Sequence, residues 1–200
     1  MKVIGLCGKT GSGKSTVGKY FETLGAAYID TDSVSREVCS PGNPCLEELA
    51  RFFGSDILND DGSLSRKKLA ETAMNGGVKY KKLNEITHRH ILAATRKFIA
   101  KAAKENAKKA VVVDAPLLFE SGFNRECDYI IGVISSEAIS TIRIKERDGI
   151  DSATAEKRLN KQKSNKFLKE HCDFIIENNS TKEELLKKAK AVYDIMGREG

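Results

Sequence analysis

Two apolar rhythms alternate along this chain. Short uninterrupted runs stand at Val3-Ile4 with Leu6, and at 26–30, 110–113, 129–134 and 174–177. They are too short for helices and read as buried strands. Between them, apolar positions recur three or four apart, which predicts helices at about 14–24, 44–53, 66–75, 79–105, 137–147 and 152–163, and from Ser180 to about 196. In the long central stretch Leu83, Ile86, Ala94 and Phe98 carry that spacing. Punctuation supports the bounds. Gly25, Gly54 and Gly197 are stop signals, Asn43 with Pro44 is a start signal, and Ser180 with Glu183 has capping-box spacing. Asp60-Asp61-Gly62 predicts a turn.

Strands alternating with helices, with no hairpin signal, predict an α/β fold with a mostly parallel sheet covered on both faces. The helical stretch at about 42–108 interrupts that alternation. It reads as an insertion into a core of about 1–41 and 109–200, and as a natural place for a second substrate. No repeat or low-complexity linker divides the chain.

Composition changes this picture little. The 200 residues are 40% hydrophobic and 31% charged, as expected of one globular domain. Thirty-four Lys and Arg against 28 Asp and Glu leave a net charge of +6, which suits an anionic ligand and equally a solvated surface. No apolar run reaches membrane-spanning length, and the first strand follows Met1-Lys2 at once, so neither a membrane span nor a leader is expected. The five cysteines are odd in number and form no Cys-x-x-Cys pair, which predicts reduced thiols and a cytoplasmic protein.

The strongest chemical signal is Gly8-Lys9-Thr10-Gly11-Ser12-Gly13-Lys14-Ser15, a complete P-loop pattern between a strand and a helix. Gly8, Gly11 and Gly13 permit the backbone angles that turn N–H groups, Ser12's among them, toward one phosphate. The helix start adds its positive dipole end. Lys14 is expected on the β- and γ-phosphates of ATP, the Ser15 hydroxyl on Mg²⁺, and Thr16 on the α-phosphate.

The loop binds a nucleoside triphosphate without saying what is done with it. A GTPase needs Asn-Lys-x-Asp, and Asn160-Lys161-Gln162-Lys163 ends in the wrong residue. Asp30-Thr31-Asp32 follows the second strand, where an α/β sheet opens on its ligand crevice. One carboxylate there can take a proton from a hydroxyl while its neighbour holds Mg²⁺ through water. The competing reading makes Asp32 a helix cap. Arg143 and Arg147 lie four apart, with Arg158 in the next helix, and suit a lid over a triphosphate. Asp114 ends the third strand, either as a Mg²⁺-orienting carboxylate or as an ordinary strand-end turn residue. His88 and His90 are two apart and so share no helix face, which argues against a metal pair. A kinase acting on a small nucleotide-like molecule is the reading that uses most of these residues.

The sequence resembles the dephospho-CoA kinase family along nearly its whole length. The matching residues are Gly5-Leu6-Cys7-Gly8 leading into the loop, Ile29-Asp30-Thr31-Asp32, Arg36-Glu37-Val38, Pro41-Gly42, Ile86-Thr87-His88-Arg89-His90-Ile91, Pro116-Leu117-Leu118-Phe119-Glu120, Arg143 with Arg147-Asp148, Arg158 with Gln162, and 173–178. Two positions depart from the family pattern. Thr31 stands where the family has Ala, and Arg89 stands where it has Pro.

The resemblance implies a P-loop three-layer sandwich with a five-stranded parallel sheet. It also implies a helical substrate-binding insertion at about 42–108 and a lid at about 137–165. The implied reaction is ATP-dependent phosphorylation of the ribose 3′-hydroxyl of dephospho-CoA, the last step of CoA synthesis. Lys14, Asp32 and Arg147 would be catalytic, with Asp32 the base. Arg143 and Asn178 would join the loop in binding ATP, and Asp32, Arg36 and His88 would bind dephospho-CoA. Mg²⁺ would sit on Ser15, with Asp30, Asp32 or Asp114 reaching it through water. Expected partners are these small molecules alone, with no nucleic acid or membrane, in a monomer or weak homo-oligomer. The alternatives are another small nucleoside or nucleotide kinase and a non-enzymatic ATP-binding switch.

Overall fold

The apolar runs become five strands: β1 Lys2–Cys7, β2 Ala27–Asp30, β3 Ala110–Asp114, β4 Tyr129–Ile134 and β5 Phe174–Glu177. All pair in parallel, in the order β2-β3-β1-β4-β5. The computed structural model describes residues 1–74, 76–105 and 108–198. Nine helices are seen among these residues: α1 Lys14–Thr23, α2 Thr31–Val38, α3 Pro44–Phe53, α4 Arg66–Met74, α5 Gly77–Lys104, α6 Glu137–Asp148, α7 Ser152–Asn160, α8 Asn165–His171 and α9 Lys182–Arg198. Asn75, where the helix predicted at about 66–75 would end, lies outside the described residues.

The chain divides into two units, residues 1–30 with 101–200, and residues 31–100. In the first unit, alternate strand residues serve opposite faces. Ile4, Leu6, Val112, Ile131, Val133 and Ile176 join one buried cluster with Val17 and Phe21 of α1 and Leu185, Ala189 and Met196 of α9. Gly5, Cys7 and Gly132 serve the other face, where Leu118, Cys127 and Cys172 approach them. A smaller cluster of Ile144, Ala155 and Leu159 joins α6 to α7.

The second unit is residues 31–100. It has a buried cluster of its own: Cys39, Cys45, Leu49, Ile57, Leu69 and Ile86. Its long helix runs unbroken through Arg89. Instead of the turn that a proline would set, Arg89 and His90 both reach Glu48 of α3, with His90 Nε2 3.0 Å from Glu48 Oε2. Those contacts hold the Glu48 carboxyl below its ordinary range, the His90 hydrogen bond contributing most and the Arg89 guanidinium next.

Several sequence expectations need correcting. Two helices were not expected as elements, α2 and α8. The first buries only Val34, and the second is seven residues long and buries only Leu168. Because α2 begins at Thr31, Asp32 sits inside its first turn rather than at a cap before it. Asn43 precedes α3 but its amide donates to Ser40 O and Oγ, and no side chain caps that helix. At α9 the cap is Thr181, whose Oγ1 accepts from the Glu184 N–H, rather than Ser180. Gly197 does not stop that helix, which runs to Arg198. Around Asp61-Gly62 the chain forms one antiparallel bridge, Leu58 to Leu64, where no hairpin was expected.

Candidate active site

The loop between β1 and α1 is shaped by glycines. Gly13 has φ 98° and precedes α1 with no side-chain cap, so the helix start is left to its backbone N–H groups. A Cβ on Gly13 would lie 2.5 Å from Asn178 Nδ2, and one on Gly8 would lie 2.2 Å from Val133 O. Neither position has room for a side chain.

The loop is also gripped residue by residue. Lys9, nearly buried, donates to Glu137 Oε1 at 2.9 Å. Gln162 makes two bonds to Thr10: its Oε1 accepts from the Thr10 N–H at 2.8 Å, and its Nε2 donates to Thr10 Oγ1 at 3.1 Å. Arg143 Nη1 donates to Gly11 O at 3.3 Å and to Asn178 O at 3.2 Å, while Nη2 donates to Asn178 Oδ1 at 3.3 Å. The buried Asn178 amide donates to Ser12 O at 2.8 Å. Four consecutive loop residues are thus held by groups from α6, from just past α7, and from just past β5.

Beside the loop, Asp30 and Asp114 stand in register at the carboxyl ends of β2 and β3. Asp114 is buried, and its Oδ2 accepts from Ser15 Oγ at 3.1 Å and from the Tyr28 hydroxyl at 3.0 Å. Burial pushes the Asp114 carboxyl up from its ordinary range. Lys14 and the two hydroxyl donors oppose that, and Asp30 adds to it. Burial, followed by Asp114, pushes the Tyr28 hydroxyl up as well. Tyr28 also lies against the backbone of α1, where a Cβ on Gly18 would be 2.2 Å from its ring.

Lys14 is 9% exposed, and no hydrogen bond or ion pair engages it among the described residues. A largely buried lysine whose ammonium has no protein partner is placed to meet an anion. The Ser12 hydroxyl is likewise buried without a hydrogen-bond partner. An anion with several oxygens would satisfy both groups. The Ser15 hydroxyl and Asp114 carboxylate form an oxygen set that suits Mg²⁺.

Of the remaining predicted residues, Thr16 follows Ser15 in the first turn of α1. Arg147 and Arg158 both engage Asp148, Arg147 through Nε at 2.7 Å and Nη2 at 3.0 Å, and Arg158 through Nη1 at 2.7 Å. Arg143 and Arg147, four apart on α6, therefore serve different partners. In the second unit, Asp32 and Arg36 are exposed on α2, Arg36 donating to Ser33 Oγ at 3.1 Å, and His88 is half-buried on α5.

This arrangement suits a triphosphate, and comparison with known proteins says which kind of enzyme has it. The family model described as dephospho-CoA kinase matches residues 2–184. The chain belongs to the dephospho-CoA kinase family. The dephospho-CoA kinase of Fusobacterium nucleatum is 38% identical over 188 residues, 94% of this chain and 95% of that one. That of Moorella thermoacetica is 40% identical over 162 residues, 81% of this chain and 76% of that one. Among solved structures, dephospho-CoA kinase from Campylobacter jejuni superposes with a TM-score of 0.72 at 26% identity, covering 98% of each chain. A shikimate kinase from Acinetobacter baumannii, at 15% identity and TM-score 0.52, shares the fold. The chain is accordingly a kinase with a nucleotide-binding P-loop. No helix among its described residues is long and apolar enough to cross a membrane.

Lys9, Tyr28, Glu137 and Gln162 were not singled out for these roles in the sequence. Lys9 and Glu137 are 128 residues apart, and Thr10 and Gln162 are 152 apart. Only the fold brings them together, and no spacing rule reaches that far.

Proposed function

We propose that this kinase transfers the γ-phosphoryl group of ATP to the ribose 3′-hydroxyl of dephospho-CoA, giving CoA and ADP. The observation that carries the reading is the phosphate loop with its largely buried Lys14, whose ammonium has no protein partner among the described residues, in a chain that the family model matches over residues 2–184. The loop N–H groups and Lys14 take the β- and γ-phosphates, with Ser12 and Thr16 adding hydroxyls. Asp32, two residues past the end of β2, accepts the hydroxyl proton as the ribose oxygen attacks the γ-phosphorus and ADP leaves. Arg147 exchanges Asp148 for the charge developing on the transferred group. Arg143 and Asn178 hold the loop in its binding shape, and so serve ATP through Gly11 and Ser12. Mg²⁺, held by Ser15 with Asp114, Asp30 or Asp32 beyond an intervening water, would offset phosphate charge.

In this reading the helices at about 42–108 supply the acceptor site, with Arg36 and His88 among its contacts, and the stretch at about 137–165 is the lid. The enzyme works in the cytoplasm as a monomer or weak homo-oligomer, without nucleic-acid or membrane partners. The test is ADP release with ATP and a panel of acceptors: dephospho-CoA, AMP, CMP, uridine, shikimate and water. Dephospho-CoA should be fastest and its product should carry a 3′-phosphate. Faster turnover of AMP or CMP would leave only the kinase assignment.

A further inference from the structure

Cys7 is the last residue of β1, immediately before the phosphate loop. Its sulfur lies 3.5 Å from that of Cys172, the residue just past α8. The fold makes room for this meeting. Gly132 stands in register beside Cys7 on the neighbouring strand, and a Cβ there would lie 3.0 Å from Cys172 Sγ. The missing side chain is the space in which the two thiols touch. The pair is also asymmetric, since Cys7 is buried and Cys172 is partly exposed, so a reagent in solution reaches one sulfur first.

We propose that Cys172 and Cys7 are a reversible oxidation site for hydroperoxides, and that the disulfide they form disables the phosphate loop. The electrostatics agree with that order of events. The hydrogen bond with Cys7 lowers the Cys172 thiol below its ordinary range. The same bond, with burial, keeps Cys7 protonated. The Cys172 thiolate attacks one peroxide oxygen. The O–O bond breaks, the alkoxide or hydroxide leaves and takes a proton, and Cys172 becomes a sulfenic acid. The Cys7 sulfur then attacks the Cys172 sulfur. The S–O bond breaks, and the Cys7 proton departs with the hydroxide as water. Two electrons pass from the thiols to the peroxide.

Closing the bond brings the sulfurs from 3.5 Å to about 2.05 Å. The root of the loop has no slack to absorb this, because Gly8 already lies against Val133 O. A second thiol pair, Cys39 and Cys45, has its sulfurs 3.7 Å apart, with the Cys39 thiol held at about 7 by its hydrogen bond with Cys45. Both of those residues are buried, so that pair serves as the internal comparison.

The experiment treats the reduced full-length protein with tert-butyl hydroperoxide. Disulfides are mapped in unreduced peptides, and binding of a fluorescent ATP analogue is followed before and after dithiothreitol. The expected result is a Cys7–Cys172 bond, analogue affinity lower by about 10–100-fold as a misplacement near 1 Å can produce, and recovery on reduction. Cys172→Ala should keep its affinity under peroxide, and Cys39→Ala should lose it as the wild type does. The proposal is overturned by a bond confined to Cys39 and Cys45, by Cys172 reaching sulfinic acid while Cys7 stays a thiol, or by a mapped Cys7–Cys172 bond with unchanged affinity. Mapping and binding require no turnover, so none of these outcomes bears on the identity of the acceptor.

Discussion

The phosphate loop and the 31–100 unit are built by opposite means. Around the loop almost everything is buried or braced: Lys9, Ser12, Lys14, Asp114 and Asn178 are all below a tenth exposed. In the 31–100 unit the described buried residues are apolar apart from Thr95, and Asp32 and Arg36 stand on the surface of α2. A triphosphate presents the same charged oxygens to every kinase of this fold, so a rigid and pre-paired cradle can be built once. An acceptor differs from kinase to kinase, and exposed side chains can be exchanged without disturbing a core.

This contrast makes predictions, the largest for the loop. Lys14→Ala should lower turnover by about 10³-fold or more, because it removes the charge proposed above to take the β- and γ-phosphates. Its melting temperature should change little, since no hydrogen bond or ion pair of the ligand-free fold is lost with the ammonium. A folded variant with unchanged turnover would break the comparison at its root. Asp32→Asn should lower turnover by at least about 10²-fold while leaving Mg-ATP affinity within a few-fold of wild type. Asn forgoes only the pull between a first-turn carboxylate and the helix start, about 0.3–1 kcal/mol, so stability should nearly hold. Retention of more than about a tenth of the activity would remove Asp32 as the base and make Asp30 the next candidate.

A smaller effect should come from the grip itself. Gln162→Ala removes both bonds to Thr10, and should raise the KM for ATP several-fold while changing that for dephospho-CoA little. Equal effects on both substrates would show that the grip is not specific to the loop. Arg147→Lys should lose less activity than Arg147→Ala, because Lys keeps the charge but not the fork. The smallest effect belongs to the second unit. Glu48→Gln should cost no more than about 1 kcal/mol at pH 7, as partly exposed pairs do. The Glu48 carboxyl is held below its unfolded value. Its contribution is therefore present above about pH 4.3 and lost as pH falls through its folded value. The melting temperatures of wild type and variant should converge on acidification from pH 7 to pH 3.

The same division governs what could be read from the sequence. The five strands and the phosphate loop were legible because each is dictated locally. Apolar runs set the strands, and glycines at fixed spacing set the loop. α2 and α8 were missed because a short helix with one buried residue has no apolar stripe to count. The cap of α9 slipped by one residue because Ser180 and Thr181 are both capping types, and only the Thr181 hydroxyl accepts from the helix. Arg89 read as a departure from the family, yet its partner Glu48 lies 41 residues away, where no local rule could find it. The bonds from Glu137, Gln162 and Asn178 to the loop were hidden for the same reason.

The strand order also dictates when this protein can begin to fold. β1 and β2 are not neighbours, because β3 lies between them, and β1's other partner is β4. No ladder of the sheet can therefore form on a ribosome until β3 has emerged, after the whole of residues 31–109 has been made. During that interval the phosphate loop is a tether without a shape, and the stretch 31–100, whose buried cluster lies wholly within itself, can condense ahead of it. The segment that recognises phosphate is synthesised among the first and ordered among the last.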